Sequence, residues 1–250
     1  MNVESGLAML SRAGLSMQAS WMIGELPDIL AAALAAAAID HTPYRTFVML
    51  GQAGTGLWET IAMEGLAESA APFDETSQTL VERFVTVHAD GASYEVVYPG
   101  QALLPLGRLA ELAGWGRPSP LGLTINDEYG LWLAHRVAFL IDADVTVPRG
   151  RPSSHPCDTC VAKPCVAACP VGAVDARTGF DVDRCATFRV AEESVCAHQC
   201  LARNACPVGA EHRYGPEQMH HHYESGLVSI RRFYESEASE SPSGSGSPLR

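Results

Sequence analysis

All eight cysteines of the 250-residue chain lie between positions 157 and 206, and the first 156 residues contain none. Eight thiols in so short a segment are typical either of a disulfide framework or of metal sites. The N-terminal MNVESGLAMLSRAGL lacks the charged start and apolar run of a secretory signal. We therefore expect a cytoplasmic protein. Because cytosolic thiols are kept reduced, the cysteines are predicted to bind metal.

The spacing of the cysteines narrows the kind of metal site. The sequence ACPVGA occurs at 168–173 and again at 205–210, so both blocks of cysteines end in CPVGA. The first block reads Cys157-x2-Cys160-x4-Cys165-x3-Cys169-Pro170, and the second comprises Cys185 and then Cys196-x3-Cys200-x5-Cys206-Pro207. In ferredoxins with two iron–sulfur clusters, the cysteine before proline ligates the cluster held mainly by the other block.

This crossover predicts two [4Fe-4S] clusters with four thiolate ligands each. One set is Cys157, Cys160, Cys165 and Cys206, and the other is Cys185, Cys196, Cys200 and Cys169. All eight cysteines are then used as ligands. Zinc held by four cysteines is the alternative, although a zinc ribbon usually has paired short knuckles rather than a third cysteine followed by Cys-Pro.

The residues before the cysteines predict a mixed α/β domain. Segments 5–18 and 25–39 have helical character, TFVML at 46–50 reads as a buried strand, and SYEVVYP at 93–99 alternates like a strand. GQAGTG at 51–56 lacks the Lys-Ser or Lys-Thr pair of a P-loop and the spacing of a dinucleotide fold. It is predicted to be a turn, with phosphate binding as the alternative.

Segments rich in proline, glycine and serine mark the expected domain boundaries. RGRPSSHP at 149–156 is predicted to be a linker. The Ser- and Gly-rich C-terminus has the composition of a disordered tail. We therefore expect an α/β domain over 1–148, a small helical ferredoxin-like domain over 149–237, and a tail over 238–250.

The charge balance and hydropathy argue against two classes of partner. Asp and Glu number 29 against 17 Lys and Arg, which gives a net charge of −12. Nucleic-acid binders present clustered positive charge, so no nucleic acid is expected as a partner. The most apolar stretch, from Ile29 to Ile39, is far shorter than the ~20 residues that span a bilayer, so no membrane contact is expected.

Other polar residues carry weaker signals. The run HHH at 220–222 is predicted to lie on a solvated helix face, with metal binding as the alternative. His135 and Arg136 are candidates to face a cofactor or to support the local fold, and Trp115 is predicted to pack in the core. None of these residues is identified as catalytic.

The cysteine module resembles the C-terminal domain of epoxyqueuosine reductases and corrinoid-dependent reductive dehalogenases. Those proteins carry a four-cysteine block, a single cysteine and a three-cysteine block in this order, and DVDRC at 181–185 supplies the single cysteine. Upstream, Gly114-Trp115 and the stretch Asn126-Asp127-Glu128-Tyr129-Gly130 match the same families. YEVVYPG and GLWLAHRV are also similar to cobalamin-processing decyanases. The resemblance covers roughly residues 90–215.

The resemblance implies an α+β fold, in which a flavin-reductase-like α/β domain that holds a corrinoid precedes the two-cluster domain. One departure concerns proton donation. Epoxyqueuosine reductases carry an acidic residue in an Asp-Ser-x-Pro motif, whereas the nearest equivalent in this chain is Tyr98-Pro99-Gly100, without a carboxylate. Tyr98 is the candidate donor that remains.

Together, these features predict an iron–sulfur electron-transfer protein. Single low-potential electrons would pass from a redox partner protein through the two clusters to an acceptor at the α/β domain, with a corrinoid (cobalamin) or a small molecule as that acceptor. The alternative is a ferredoxin-like carrier or redox sensor that docks a partner enzyme and binds no corrinoid.

Overall fold

The structure is a computed structural model that describes residues 2–148, 150 and 155–240. The helices are α1 (Val3–Arg12), α2 (Asp28–Ala36), α3 (Gly56–Met63), α4 (Pro72–His88), α5 (Leu106–Leu112), α6 (Pro156–Thr159), α7 (Pro164–Ala167), α8 (Val182–Val190), α9 (Leu201–Asn204) and α10 (Pro216–Glu240). The strands are β1 (Met17–Met22), β2 (Thr46–Ala53), β3 (Tyr94–Tyr98), β4 (Arg117–Pro118), β5 (Thr124–Ile125), β6 (Leu133–Ile141), β7 (Val174–Asp175) and β8 (Gly179–Phe180). The predicted α+β class is confirmed.

A four-stranded antiparallel sheet of order β1-β2-β6-β3 forms the centre of the N-terminal domain. Successive side chains of a strand point to opposite faces, and both faces of β2 are buried. Val48 and Leu50 pack with α1, α3 and α4 on one face, whereas Phe47 and Met49 pack with α2 and α5 on the other. TFVML is therefore a buried strand, as predicted, and the structure places it inside the sheet between β1 and β6.

A β-bulge in β6 changes the direction of two polar side chains. Leu50 pairs with Val137 and Gly51 pairs with His135, so Arg136 is the extra residue of the bulge. Bulges commonly redirect side chains in this way. His135 consequently stacks on Trp115, with ring centroids 5.9 Å apart, while the Arg136 guanidinium lies 4.1 Å from the centroid of the Phe73 ring on the opposite face.

The C-terminal module consists of short helices, the β7–β8 hairpin and the long helix α10. Its apolar cluster includes Leu121, Ile125 and Leu131 of the N-terminal domain together with the buried Cys165 and Cys206. The two parts of the chain therefore share one packed interface. Among the described residues, no helix is both long and apolar enough to cross a membrane.

Several boundaries differ from the sequence predictions. The helix expected over 5–18 ends at Arg12, and the residues from Met17 onward form the edge strand β1. The GQAGTG turn is limited to 54–55, because β2 continues through Ala53 and α3 begins at Gly56.

The predicted linker and tail lie partly outside the described residues, so the domain boundaries stay predictions. Within the predicted linker, residues 149 and 151–154 lie outside the described residues, and Pro156 already begins α6. The tail predicted from residue 238 begins inside α10, whereas 241–250 lie outside the described residues.

Candidate metal centre

The first group of thiols brings together residues that are distant in sequence. Burial raises the pKa of the Cys157 thiol, and its thiol neighbours Cys206, Cys165 and Cys160 raise it further. Burial likewise raises the pKa of Cys165 and of Cys206. Cys157 lies in α6 and Cys165 in α7, whereas Cys206 comes after α9.

The second group is formed by Cys169, Cys185, Cys196 and Cys200. Burial raises the pKa of Cys185 to about 11, and the neighbouring thiols Cys200, Cys169 and Cys196 act in the same direction. Cys185 lies on α8, which begins at an N-cap: Asp181 Oδ1 accepts a hydrogen bond of 2.9 Å from the backbone N–H of Arg184. The Asp-x-x-Arg stretch thus fixes the start of the helix that presents Cys185.

These two groups are the two ligand sets named from the sequence, and the donor chemistry fits iron–sulfur clusters. Thiolates bind metal only when deprotonated, so closely packed thiols with raised pKa values need a bound cation to ionise together. A cavity of about 260 Å³ has all four thiols of the second group on its wall, beside apolar side chains such as Phe180. Ligation by these cysteines, the crossover and the number of clusters stay predictions.

Backbone amides point at several of the sulfurs. The N–H of Ala173 donates to Cys169 Sγ at 3.3 Å, and the N–H of Arg203 donates to Cys200 Sγ at 3.4 Å. Backbone N–H groups of Val166 and Val208 act on Cys165 and Cys206 and lower the pKa of each thiol. Such hydrogen bonds stabilise thiolate charge, and around a cluster they raise its reduction potential.

Two arginines that sequence reasoning missed connect the second group to its surroundings. The Arg189 guanidinium donates to the backbone oxygens of Cys196, Ala197 and Tyr223, at 3.3, 3.3 and 2.8 Å, and so joins α8, the cysteine loop and α10. Arg203 is 9% exposed and donates to Leu131 O at 2.7 Å. No spacing rule marks either residue, because their partners are carbonyl groups distant in sequence.

Arg203 also crosses between the two parts of the chain. Its guanidinium carbon lies 4.4 Å from the centroid of the Trp132 ring and 4.8 Å from that of Tyr214. Desolvated cation–π contacts of this kind contribute roughly 2 kcal/mol. The residue that donates a backbone hydrogen bond to the second thiol group is therefore also anchored to the N-terminal domain.

The Asn126-to-Gly130 segment is joined to the Gly-Trp turn and meets the residues that follow Cys206. Asn126 Nδ2 donates to Trp115 O at 3.0 Å, and Asn126 Oδ1 accepts from the backbone N–H of Tyr129 at 2.6 Å. Gly130, which follows, lies against Val208 and Gly209 so closely that a Cβ on Gly130 would meet Val208 O at 1.9 Å. Val208 and Gly209, which follow Cys206 in the second CPVGA, thus dock directly on this loop.

The histidine run at 220–222 does not lie on one solvated face. His220 is exposed, but His221 and His222 are half-buried against the N-terminal domain. The ring centroid of His222 lies 4.5 Å from that of Phe73, and the centroid of His221 lies 5.5 Å from that of Trp58. The predicted solvated face is therefore wrong for these two residues, because α10 packs across α3 and α4.

His135, Arg136, Trp115 and Tyr98 are all in or next to the sheet. Trp115 is 4% exposed, which confirms the packing prediction. Arg136 Nε donates to Gln52 Oε1 at 2.9 Å, and burial lowers the Arg136 pKa. Burial raises the pKa of Tyr98, while the nearby Arg136 charge lowers it. Tyr98 as a proton donor stays a prediction.

Two open clefts lie beside α10. Their volumes are about 620 Å³, next to His198 and Tyr214, and about 750 Å³, next to Trp58 and Glu217. Both volumes lie within the roughly 300–1,000 Å³ that is typical of small-molecule sites.

Comparison with known proteins gives structural but no sequence relatives. No protein-family model matches the chain, and no curated protein matches it. An epoxyqueuosine reductase with an epoxyqueuosine-modified tRNA-Tyr stem loop matches with a TM-score of 0.57 at 12% identity, covering 88% of this chain and 69% of that chain.

Two further epoxyqueuosine reductase structures agree with that match. Epoxyqueuosine reductase from Bacillus subtilis matches with a TM-score of 0.52 at 13% identity, covering 87% of this chain and 69% of that chain. The enzyme from Streptococcus thermophilus matches with a TM-score of 0.50 at 14% identity, covering 84% and 66%. A catabolic reductive dehalogenase matches with a TM-score of 0.46 at 14% identity, covering 78% of this chain and 30% of that chain.

The neighbours are reductases, as the sequence resemblance predicts, and the chain has the fold of the epoxyqueuosine reductases. It spans 66% to 69% of the length of the three reductase chains described above. Identities of 12–14% show a shared fold only.

Proposed function

We propose that this chain is an iron–sulfur electron-transfer protein with two [4Fe-4S] clusters, one in each group of four thiols. The observation that carries the proposal is the convergence of the cysteines, in which Cys206 lies with Cys157 and Cys165, and Cys169 lies with Cys185. A cluster supplies one-electron chemistry at low potential when bound. The residues of the chain hold it, donate hydrogen bonds to its ligands and limit the access of water.

The packing supports an order of electron transfer through the module. Cys165 and Cys206 of the first thiol group are buried in the apolar cluster that includes residues of the N-terminal domain such as Leu121, and Cys169 and Cys200 of the second group pack against the same cluster. All four thiols of the second group also line the cavity that Phe180 and Phe188 border, whereas Cys206 of the first group precedes the turn that docks on Gly130. In this proposal, a redox partner protein reduces the second site, and the first site delivers electrons toward the N-terminal domain.

The proposed function has two forms, which differ in whether the electron acceptor is bound at the α/β domain or lies in a partner enzyme. The fold of the epoxyqueuosine reductases supports an acceptor bound at the α/β domain, and the sequence resemblance names a corrinoid as the first candidate. The second form is a carrier that docks a partner enzyme and binds no corrinoid.

A titration of anaerobically reconstituted protein with cob(II)alamin separates the two forms. Iron and sulfide analysis of the same sample should give two four-iron clusters per chain. A change in the EPR signal of cob(II)alamin on mixing would establish a corrinoid acceptor. Full cluster content with an unchanged cobalamin signal would establish the carrier. Fewer than eight irons per chain, or zinc in their place, would refute the two-cluster proposal itself.

The crossover has its own test in a matched pair of variants. Cys206→Ala should remove the EPR signal of the cluster held by Cys157, Cys160 and Cys165, whereas Cys169→Ala should remove the signal of the other cluster. The two substitutions fall at the same position of the repeated ACPVGA, so local effects of the motif cancel. Loss of the opposite cluster in each variant would show that the pairing is wrong.

Nucleic acid needs a separate measurement, because one structural neighbour carries a tRNA stem loop. A net charge of −12 is the observation against this partner in the present chain. We propose that the chain does not bind a tRNA stem loop, and an electrophoretic mobility assay with such a stem loop at low salt tests this directly. Retarded migration would reverse that conclusion.

A further inference from the structure

Three side chains with metal-binding atoms converge beside the second thiol group without belonging to it. His198 Nδ1 lies 3.0 Å from Glu224 Oε2, and the rings of His198 and His220 stack with centroids 4.8 Å apart. One donor atom from each of the three residues lies within 4.8 Å of the other two. His220 and Glu224 stand one turn apart on α10, while His198 comes from the loop between α8 and α9.

We propose that His198, His220 and Glu224 bind one divalent transition-metal ion. Imidazole and carboxylate donors suit Zn²⁺, Fe²⁺, Co²⁺ and Ni²⁺. Metal–ligand bonds of ~2.0–2.2 Å require the three donor atoms to lie closer together than 4.8 Å. The side chains of His198 and Glu224 are 49% and 48% exposed, so rotation about their side-chain bonds can close this distance.

The surroundings indicate an ion with open coordination positions. Three protein ligands with a water or small molecule in the remaining position are typical of catalytic or exchangeable sites rather than closed structural ones. His198 and His220 both line the cavity of about 620 Å³, whose wall also includes Asn204 and Arg213. An exogenous ligand on the ion would therefore lie beside a guanidinium, which favours water or a small carboxylate over a cation.

The site is distinct from the cluster sites in its donors and in its position on α10. None of its three residues is a cysteine, and two of them lie on a helix that contributes no thiol. The site is nevertheless adjacent to the second thiol group, because His198 is flanked in sequence by Cys196 and Cys200. Metal binding at these residues can thus be measured with the clusters in place.

The test is equilibrium dialysis of cluster-loaded, full-length protein against Zn²⁺ under anaerobic conditions, followed by zinc and iron analysis. We expect one zinc per chain in addition to the iron. His220→Ala and Glu224→Gln should each weaken zinc binding by about tenfold or more. Glu217→Gln, on the same helix, and His41→Ala, far along the chain, are the matched controls and should bind zinc as the parent does.

Iron content distinguishes failure of this proposal from failure of the clusters. If the parent binds no zinc while its iron is retained, or if His220→Ala and Glu224→Gln bind zinc as tightly as the controls, the proposed site is wrong. Zinc uptake with a matching loss of iron would show substitution at the cysteines instead, which also overturns the proposal. Retained iron in each variant shows that the module is still folded.

Discussion

Replacing Gly209 by alanine tests whether the second CPVGA sequence joins the cluster module to the N-terminal domain. Gly209 has a φ of +62°, and a Cβ at this position would lie 2.3 Å from the backbone carbonyl carbon of Tyr129 and 2.5 Å from the backbone N of Gly130. Gly172 occupies the same position in the first CPVGA and has the same φ of +62°. The nearest atom to its Cβ would be the end of the flexible Arg184 side chain, at 3.7 Å.

The two variants share one cost and differ in the other. A left-handed backbone costs a non-glycine residue roughly 1–2 kcal/mol, and both variants carry this cost. Only Gly209→Ala adds a clash with backbone atoms that cannot rotate away, and overpacking of this kind costs typically ~1–3 kcal/mol. We therefore expect Gly209→Ala to be less stable than Gly172→Ala by about 1–3 kcal/mol.

The assay is anaerobic thermal unfolding of cluster-loaded protein at a fixed scan rate, followed by cluster absorbance and by far-UV circular dichroism. For a chain of this size, a difference of 1 kcal/mol corresponds to a shift of roughly 2–4 °C in Tm. Gly209→Ala should also release iron from the first site before the second, because Cys206 precedes the distorted turn. Equal Tm values for the two alanine variants would refute the docking argument, since the backbone cost alone would then explain both.

Two further predictions concern buried basic side chains, His135 and Arg203. Burial, followed by the nearby Arg136 charge, lowers the pKa of His135 to about 4 from 6.5, so the unfolded chain binds a proton that the folded chain rejects. This contribution to the free energy of unfolding is fully present above about pH 6.5, and about 2 kcal/mol of it is lost as the pH falls toward 4, after allowance for partial exposure. In urea titrations at several pH values, His135→Gln should remove this part of the decrease. A parallel decrease in both proteins would contradict the prediction. Arg203→Met should lower the free energy of unfolding by about 2 kcal/mol, because the hydrogen bond to Leu131 O and the contact with the Trp132 ring are lost. Removal of the buried charge acts in the opposite direction. Urea denaturation measures the net change, and an unchanged midpoint would contradict the prediction by showing that removal of the charge compensates fully.

The grouping of the thiols was predictable because each predicted ligand set depends on cysteine spacing over a few residues and on the position of proline. Ligation by these sets and the crossover stay predictions. The central strand β2 was predictable for a similar reason, since TFVML is continuously apolar. The edge strand β1 was not predicted, because the apolar residues before it keep helical spacing and the predicted helix was therefore extended to residue 18. Gly14, with a φ of +94°, is the signal that ends α1 and was available in the sequence.

The parts that could not be predicted depend on contacts between distant segments. Nothing near Arg136 in the sequence indicates a bulge, because the bulge arises from the pairing of β6 with β2. The burial of His221 and His222 depends on Phe73 and Trp58, which lie in α4 and α3. Likewise, His198 meets Glu224 only because the loop after α8 packs beside α10. Composition predicts an exposed histidine run, and tertiary packing overrides it for two of the three residues.

The two copies of ACPVGA have the same sequence but different surroundings. In both copies, cysteine can reach the other thiol group and glycine permits the left-handed turn, so the sequence requirement is identical. Only the second copy has the Tyr129–Gly130 backbone against its glycine. The repeat therefore gives the two cysteine blocks the same motif, whereas the Asn126-to-Gly130 loop docks on the second copy alone. Because Cys206 belongs to the docked copy, the turn that follows this cysteine of the first thiol group is the one that meets the Tyr129–Gly130 backbone of the N-terminal domain.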